Sequence, residues 1–155
     1  MKSLLLCGML LILLAGCTQS GSIPVTAEDQ QEIEKYIRQE VMSANFGGEI
    51  FSAYEILGSD HEKSELYIWA LIEEYYREGT NIEQGTGMSV PMVLKVDQTE
   101  SPLKVLSHTE PRDGSFYAAD IKDMFPYYAE KKALNYPTSH VDKLVKEIEA
   151  EVDGK

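Results

Sequence analysis

From Ile33 to Ala44 the apolar residues of this chain recur every third or fourth position, and from Glu49 the period changes to two, in stretches rich in aromatic and β-branched residues separated by polar turns. This change of period constrains the fold more than any other feature, because a side-chain period near 3.6 belongs to a helix and a period of two to a strand. Ile33, Tyr36, Ile37, Val41 and Ala44 have helical spacing. Thr26 can cap that helix, with Glu28 and Asp29 in the first turn where the helix dipole favours acids. The helix is predicted over Ala27–Ser43, stopped by Asn45, Gly47 and Gly48.

Four strands are predicted next, over Glu49–Leu57, Ser64–Arg77, Met88–Val96 and Leu103–Thr109. Turns are predicted at Gly58–Lys63, Gly79–Gly87 and Asp97–Pro102. In the second strand Leu66, Ile68, Ala70 and Ile72 share one face, and Tyr67, Trp69, Leu71 and Tyr75 the other. Glu73 and Glu74 weaken this strand, but the neighbouring Tyr, Ile and Trp favour it. Pro91 cannot donate a ladder hydrogen bond, which implies an edge position or a bulge. Short helices follow at Ala118–Phe125, stopped by Pro126, and at Tyr127–Leu134. A last amphipathic helix, capped by Thr138 or Ser139, carries Val141, Leu144, Val145, Ile148 and Val152. Successive strands joined by turns favour antiparallel pairing. The expectation is an α+β fold: an N-terminal helix on a four-stranded antiparallel meander, a roll with the element order of cystatin-like folds, followed by C-terminal helices.

The first residues have a different character. Lys2 is followed by an apolar run, Leu4–Leu14, and then by Leu14-Ala15-Gly16-Cys17. This is the pattern of a secretory leader. Ser3–Gly16 would make about 21 Å of helix, short of a hydrocarbon core about 30 Å thick. Leu14-Ala15-Gly16-Cys17 resembles the lipobox of bacterial lipoproteins at all four positions. The resemblance implies a diacylglyceryl thioether on Cys17, cleavage before it, and often acylation of the new amino group. Two acyl chains anchor stably where one holds only marginally. An ordinary secretory leader with an incidental cysteine is the competing reading. On the lipoprotein reading residues 1–16 are a signal peptide, 17–25 a tether and 26–155 one domain, attached to the extracytoplasmic face of the cell membrane. Thr18, rather than Asp, follows the cysteine; in a cell with two membranes this resembles the default outer-membrane sorting class.

Loss of the leader leaves 139 of the 155 residues, enough for one cored domain. Cys7 goes with it, so Cys17 is the only remaining thiol and no internal disulfide is expected. The net charge of −12 becomes −13 with the loss of Lys2. So acidic a body is a poor non-specific binder of nucleic acid, and none is expected as a partner. It is also repelled by anionic headgroups, which suits a tethered domain.

The stretch Tyr67–Val152 is similar to extracytoplasmic modules of small Gram-positive lipoproteins and of membrane-bound regulatory metallopeptidases of the antibiotic-sensor type. The resemblance rests on Leu66-Tyr67-Ile68-Trp69-Ala70, Gly87-Met88-Ser89-Val90-Pro91 and Pro111-Arg112-Asp113-Gly114-Ser115-Phe116-Tyr117, with Asp120-Ile121-Lys122, Phe125-Pro126 and Ala133-Leu134 after them. It implies a location and no chemistry.

Motifs for catalysis are incomplete. His61-Glu62 has Glu65 where a zinc-protease helix needs a second histidine. His61, His108 and His140 are far apart in sequence, and no metal or other cofactor is expected. Gly85-Thr86-Gly87-Met88-Ser89 lacks the lysine and the helix of a phosphate loop, and reads as a hairpin turn. Glu73 and Glu74 face opposite ways on a strand. Glu73 could act as acid or base if the face it shares with Trp69 and Tyr75 lines a cavity, and otherwise sits at a solvated strand end. Arg112-Asp113-Gly114 reads either as a ligand-presenting loop or as a turn in which Arg112 pairs with a nearby acid.

Three functions remain open. A binding module would use an open sheet face, with Tyr67, Trp69, Glu73, Tyr75, Arg112 and Asp113 as candidate surface and an envelope protein as partner. An enzyme would need a deep pocket around Glu73 and a tyrosine. An inhibitor or immunity-type lipoprotein would need a protruding Pro111–Ser115 loop.

Overall fold

A computed structural model describes residues 21–155. The leader, Cys17 and the first part of the tether lie outside the described residues. The chain folds as an α+β domain: helix α1 (Ala27–Tyr36), strands β1 (Glu49–Asp60), β2 (Glu65–Glu78), β3 (Asn81–Asp97) and β4 (Lys104–Thr109), then helices α2 (Tyr117–Met124), α3 (Tyr127–Leu134) and α4 (Thr138–Asp153). The strands form one antiparallel meander in the order β1-β2-β3-β4. The expected order of helix, meander and helices is what the chain adopts.

Thr26 caps α1 as its position suggests. Its hydroxyl accepts from the Asp29 amide at 3.2 Å, and the Asp29 carboxylate accepts from the Thr26 amide at 2.8 Å, a reciprocal capping box. The other Asp29 oxygen accepts from the Leu103 amide at 2.7 Å, fastening the start of α1 to the start of β4. Burial pushes this carboxyl up, but the amides of Thr26 and Leu103 and the Thr26 hydroxyl hold it below the usual range. After Tyr36 the helix widens into a π turn, Ile37–Val41, and Met42 is already extended, so the helical path ends two residues before Ser43.

The largest departure from expectation is in the second hairpin. The turn predicted over Gly79–Gly87 contains only Gly79 and Thr80; Glu78 pairs with Asn81 and β3 runs from there. Gly79 has φ +63°, as the first central residue of a tight hairpin turn requires. Gly85 and Gly87 look like chain breakers but lie within the strand. The register slips between Glu73 and Tyr75, so that Gly85 and Thr86 together face Glu74 in a bulge. A Cβ on Gly85 would lie 2.9 Å from a Glu74 carboxylate oxygen. The glycine is there to make room. Pro91 sits where the edge argument allows it: β4 pairs with β3 only from Val93 to Asp97, so at Pro91 β3 has a neighbour on one side only.

Both faces of the sheet are covered. Leu66, Ile68, Ala70 and Ile72, with Met92, Leu94 and Val96 of β3, pack under Ile33 and Ile37 on the α1 side. On the other side Phe51, Ala53 and Leu71 meet Leu144, Ile148 and Val152 of α4. Beside them Leu57 and Tyr67 meet Ile121, Phe125, Ala129 and Ala133 of α2 and α3. The three α4 residues fall four apart on one stripe, each worth about 1.5–3 kcal/mol of burial. Neither Thr138 nor Ser139 caps α4: Pro137 takes the N-cap position in extended conformation (ψ 142°), with no side-chain cap bond, and Thr138 is the first helical residue.

Candidate functional site

The sequence-derived surface does not lie open. Tyr67 is 0% exposed. It packs on Phe125 and Tyr128, and its hydroxyl donates to Glu65 at 2.8 Å. Trp69 is half-buried, stacked on Tyr136 with centroids 4.2 Å apart, and its indole N–H donates to Ser89 at 2.9 Å. The periodicity placed both on one face correctly. The correction is that α2, α3 and α4 fold back over that face, so Tyr67 belongs to the core and Trp69 is left half-covered.

Glu73 is buried rather than solvated, and it does meet a tyrosine. It accepts from the Tyr75 hydroxyl at 3.0 Å and from the Gln84 amide at 2.8 Å. Burial, then the bond to Glu73, pushes the Tyr75 hydroxyl up to about 12. Both carboxylate oxygens face internal donors, and the groove that reaches Tyr75 does not include Glu73 in its lining. Arg112 pairs with an acid, Asp120. Its Nε and Nη2 donate to the two carboxylate oxygens at 2.8 Å each, its backbone amide donates at 2.9 Å, and the guanidinium lies 4.2 Å from the Phe116 ring centroid. Those bonds hold the Asp120 carboxyl down to about 2. Asp113 is exposed and precedes Gly114, whose φ is +70°. Pro111–Ser115 is therefore a braced turn, and the six residues do not converge. His61 lies in the β1–β2 turn, His108 meets the Tyr36 hydroxyl, and His140 meets Glu55. Among the described residues no three metal-ligating side chains come together.

Two features escaped the sequence. Glu74 is 0% exposed, and its carboxylate accepts from the amides of Asn45, Phe46 and Gly48 at 2.8–2.9 Å and of Thr86 at 3.4 Å. Burial pushes the group up, and four backbone donors hold it below the usual range. It thereby fixes the loop before β1, where Phe46 stacks on Tyr76 while remaining 60% exposed. The only sequence sign was an acid inside an apolar strand.

The second is the outer edge of β1. This strand ends the sheet, and its Ser52–Ile56 segment floors a groove of about 470 Å³. Gln30 and Glu34 of α1 stand on one side, and Glu147 and Glu151 of α4 on the other. Arg38 closes one end: it pairs with Glu34, donates to Glu151 at 2.8 Å, and approaches the Ser52 hydroxyl at 3.4 Å. At the other end the Tyr136 hydroxyl and His140 Nδ1 each lie 2.8 Å from one oxygen of Glu55. The lining contains four carboxylates and no cation. Their field is felt by two phenols: Tyr54 is raised by burial and then by Glu34 and Asp29, and Tyr136 by burial and then by Glu55 and Glu147. No motif announces the groove, because its walls come from segments about a hundred residues apart.

Compared with protein-family models, with curated proteins and with solved structures, the chain matches none.

Proposed function

We propose that this protein is an extracytoplasmic lipoprotein, held to a membrane by lipid on Cys17 and acting as a binding module. The observation that carries the reading is Leu14-Ala15-Gly16-Cys17 at the end of an eleven-residue apolar run, with a polar segment after it. The resemblance of Tyr67–Val152 to extracytoplasmic modules supports the same location. Three buried apolar clusters give the domain a core that needs no disulfide.

The way the chain enters the domain suits a surface-tethered body. The carbonyl of Gly21 accepts from the His61 amide at 3.1 Å, Ile23 is buried, and the Ile23 amide donates to Ser59 at 2.9 Å. Four residues span at most about 14 Å, so a lipid on Cys17 holds the β1–β2 turn close to the bilayer. The Gly79–Thr80 turn, at the far end of a strand about 45 Å long, then points away from it.

The test is the intact mass of protein recovered from its host's membranes. The expected species starts at Cys17 and carries a diacylglyceryl thioether, and Cys17→Ala leaves the mature form out of the membrane fraction. An intact Met1 terminus, or an unmodified Cys17 on membrane-bound protein, overturns the reading.

A further inference from the structure

A strand at the end of a sheet presents a row of unpaired backbone groups, and proteins usually cover or charge such edges. This chain covers part of β1. Beyond Ile56, the Lys132 ammonium donates to the Leu57 carbonyl and the Tyr128 hydroxyl to the Ser59 carbonyl, both at 2.8 Å and both from α3. At the other end of the strand, Lys155 pairs with Glu49. Between these closures, among the described residues, no side chain donates to a backbone carbonyl from Ser52 to Ile56; Ser52 and Ala53 are buried beneath the Arg38–Glu151 bridge, so the open stretch is Tyr54–Ile56. That stretch is about 10 Å long at roughly 3.3 Å per residue. It is part of the floor of the groove between α1 and α4.

We propose that the free edge of β1 over Tyr54–Ile56 takes up an extended, lysine- or arginine-bearing segment of a partner protein as a fifth strand of the sheet. Strand addition supplies main-chain hydrogen bonds from the edge, and flanking side chains select the sequence. Here the flanking chemistry is of one sign. Glu34, Glu55, Glu147 and Glu151 line the groove, and Arg38 engages Glu34 and Glu151 only at its end. Lys143 reaches Glu147 at 3.5 Å from an exposed position one turn earlier on α4 and can be displaced. Alternate residues of an added strand point to opposite faces, so cationic side chains on one face meet α4 acids and those on the other meet Glu34. An acidic partner segment meets like charge on both walls. The same acids keep a second copy of this net-negative chain from pairing edge to edge.

The inference deepens the reading of the chain as a binding module, and its test separates the two. The full chain, purified from membranes in detergent micelles, is titrated into a fluorescein-labelled eight-residue peptide of alternating lysine and valine. Three comparisons are made: a glutamate–valine peptide, the lysine–valine peptide methylated at every backbone nitrogen, and the Glu147→Lys protein, whose change is exposed. The lysine–valine peptide is expected to bind and to slow hydrogen exchange at Tyr54–Ile56. The methylated peptide keeps its charge and is expected to bind at least about tenfold more weakly. Glu147→Lys is expected to weaken binding by about fivefold or more. Equal binding of methylated and unmethylated peptides, absence of binding, or protection that leaves Tyr54–Ile56 unchanged overturns the proposal. The intact mass of the same preparation reports separately on Cys17: a missing lipid with peptide binding intact removes the membrane anchor and leaves the groove.

Discussion

Ile148 is 1% exposed, the middle residue of the α4 stripe, and Phe51, Ala53 and Leu71 of the sheet lie in the same cluster. Ile148→Ala removes three carbon groups. At about 0.8 kcal/mol each, transfer alone accounts for about 2.4 kcal/mol. The sheet strands beneath cannot close over the gap, so a cavity contribution adds to this, and the expected destabilisation is about 3.5 kcal/mol. That is a large fraction of the roughly 5–15 kcal/mol typical of a whole domain. With a urea slope near 2 kcal/mol/M, the unfolding midpoint falls by about 1.7 M. Trp69 makes the assay specific: it is the only tryptophan, and it stacks on Tyr136 directly before α4. Urea titrations followed by Trp69 fluorescence and by far-ultraviolet circular dichroism are expected to shift together. A midpoint change below about 0.5 M would show that α4 contributes little burial. A fluorescence transition well ahead of the dichroism would show that the C-terminal helices leave the sheet as a separate unit, against the two-sided core described above.

Gly85→Ala pushes a methyl toward the Glu74 carboxylate and the Phe46 ring, 2.9 and 3.0 Å from an ideal Cβ. It is expected to lower Tm by about 5 °C and to speed hydrogen exchange at Asn45, Phe46 and Gly48, whose amides Glu74 holds. Asp29 and Glu151 ionise below their ordinary range in the folded chain. Their contribution is complete above the unfolded carboxylate pKa and is lost as pH falls through the folded values, so the urea midpoint is expected to hold from pH 7 to about 5 and to drop below about 4; a midpoint that rises on acidification contradicts this. Tyr54, Tyr67, Tyr75 and Tyr136 are all raised, chiefly by burial. Stability is therefore complete below the ordinary tyrosine pKa near 10 and lost as pH rises through the folded values. An ultraviolet titration of the phenols is expected to show these four ionising late, together with unfolding.

The number and kind of elements could be read from periodicity because burial on each face repeats with the backbone. The alternation Leu66-Tyr67-Ile68-Trp69-Ala70 sorts its residues onto the two faces correctly. What periodicity does not carry is how many layers the sheet supports. An apolar face under a helix and an apolar face open to a partner have the same pattern, so Tyr67 and Trp69 looked available when α2, α3 and α4 had already claimed them. Gly85 and Gly87 misled for a related reason. Glycine reports that a Cβ is missing, and at Gly85 the cause is the Glu74 carboxylate across the bulge, not a bend in the chain. Arg112 was readable as half of an ion pair, because a guanidinium beside a turn needs an acid. Its partner, Asp120, lies one short helix on. The β1 edge was beyond reach, since an edge is defined by what does not pair with it.

The hydrogen bond between Asp29 and Leu103 joins residues 74 positions apart. Ile33 and Ile37 find their partners among residues as late as Leu103 and Val105. A chain made from its N-terminus therefore presents its first helix long before that helix has anywhere to rest. The hairpins β1–β2 and β2–β3 can close as they appear, since each links neighbouring segments. During that interval the Leu66–Ile72 face stays bare, and it is then that a nascent copy is most prone to stick to its neighbours. Helix α1 is thus made before the sheet it rests on is complete, and the Asp29 carboxylate ties its start to the last strand of that sheet.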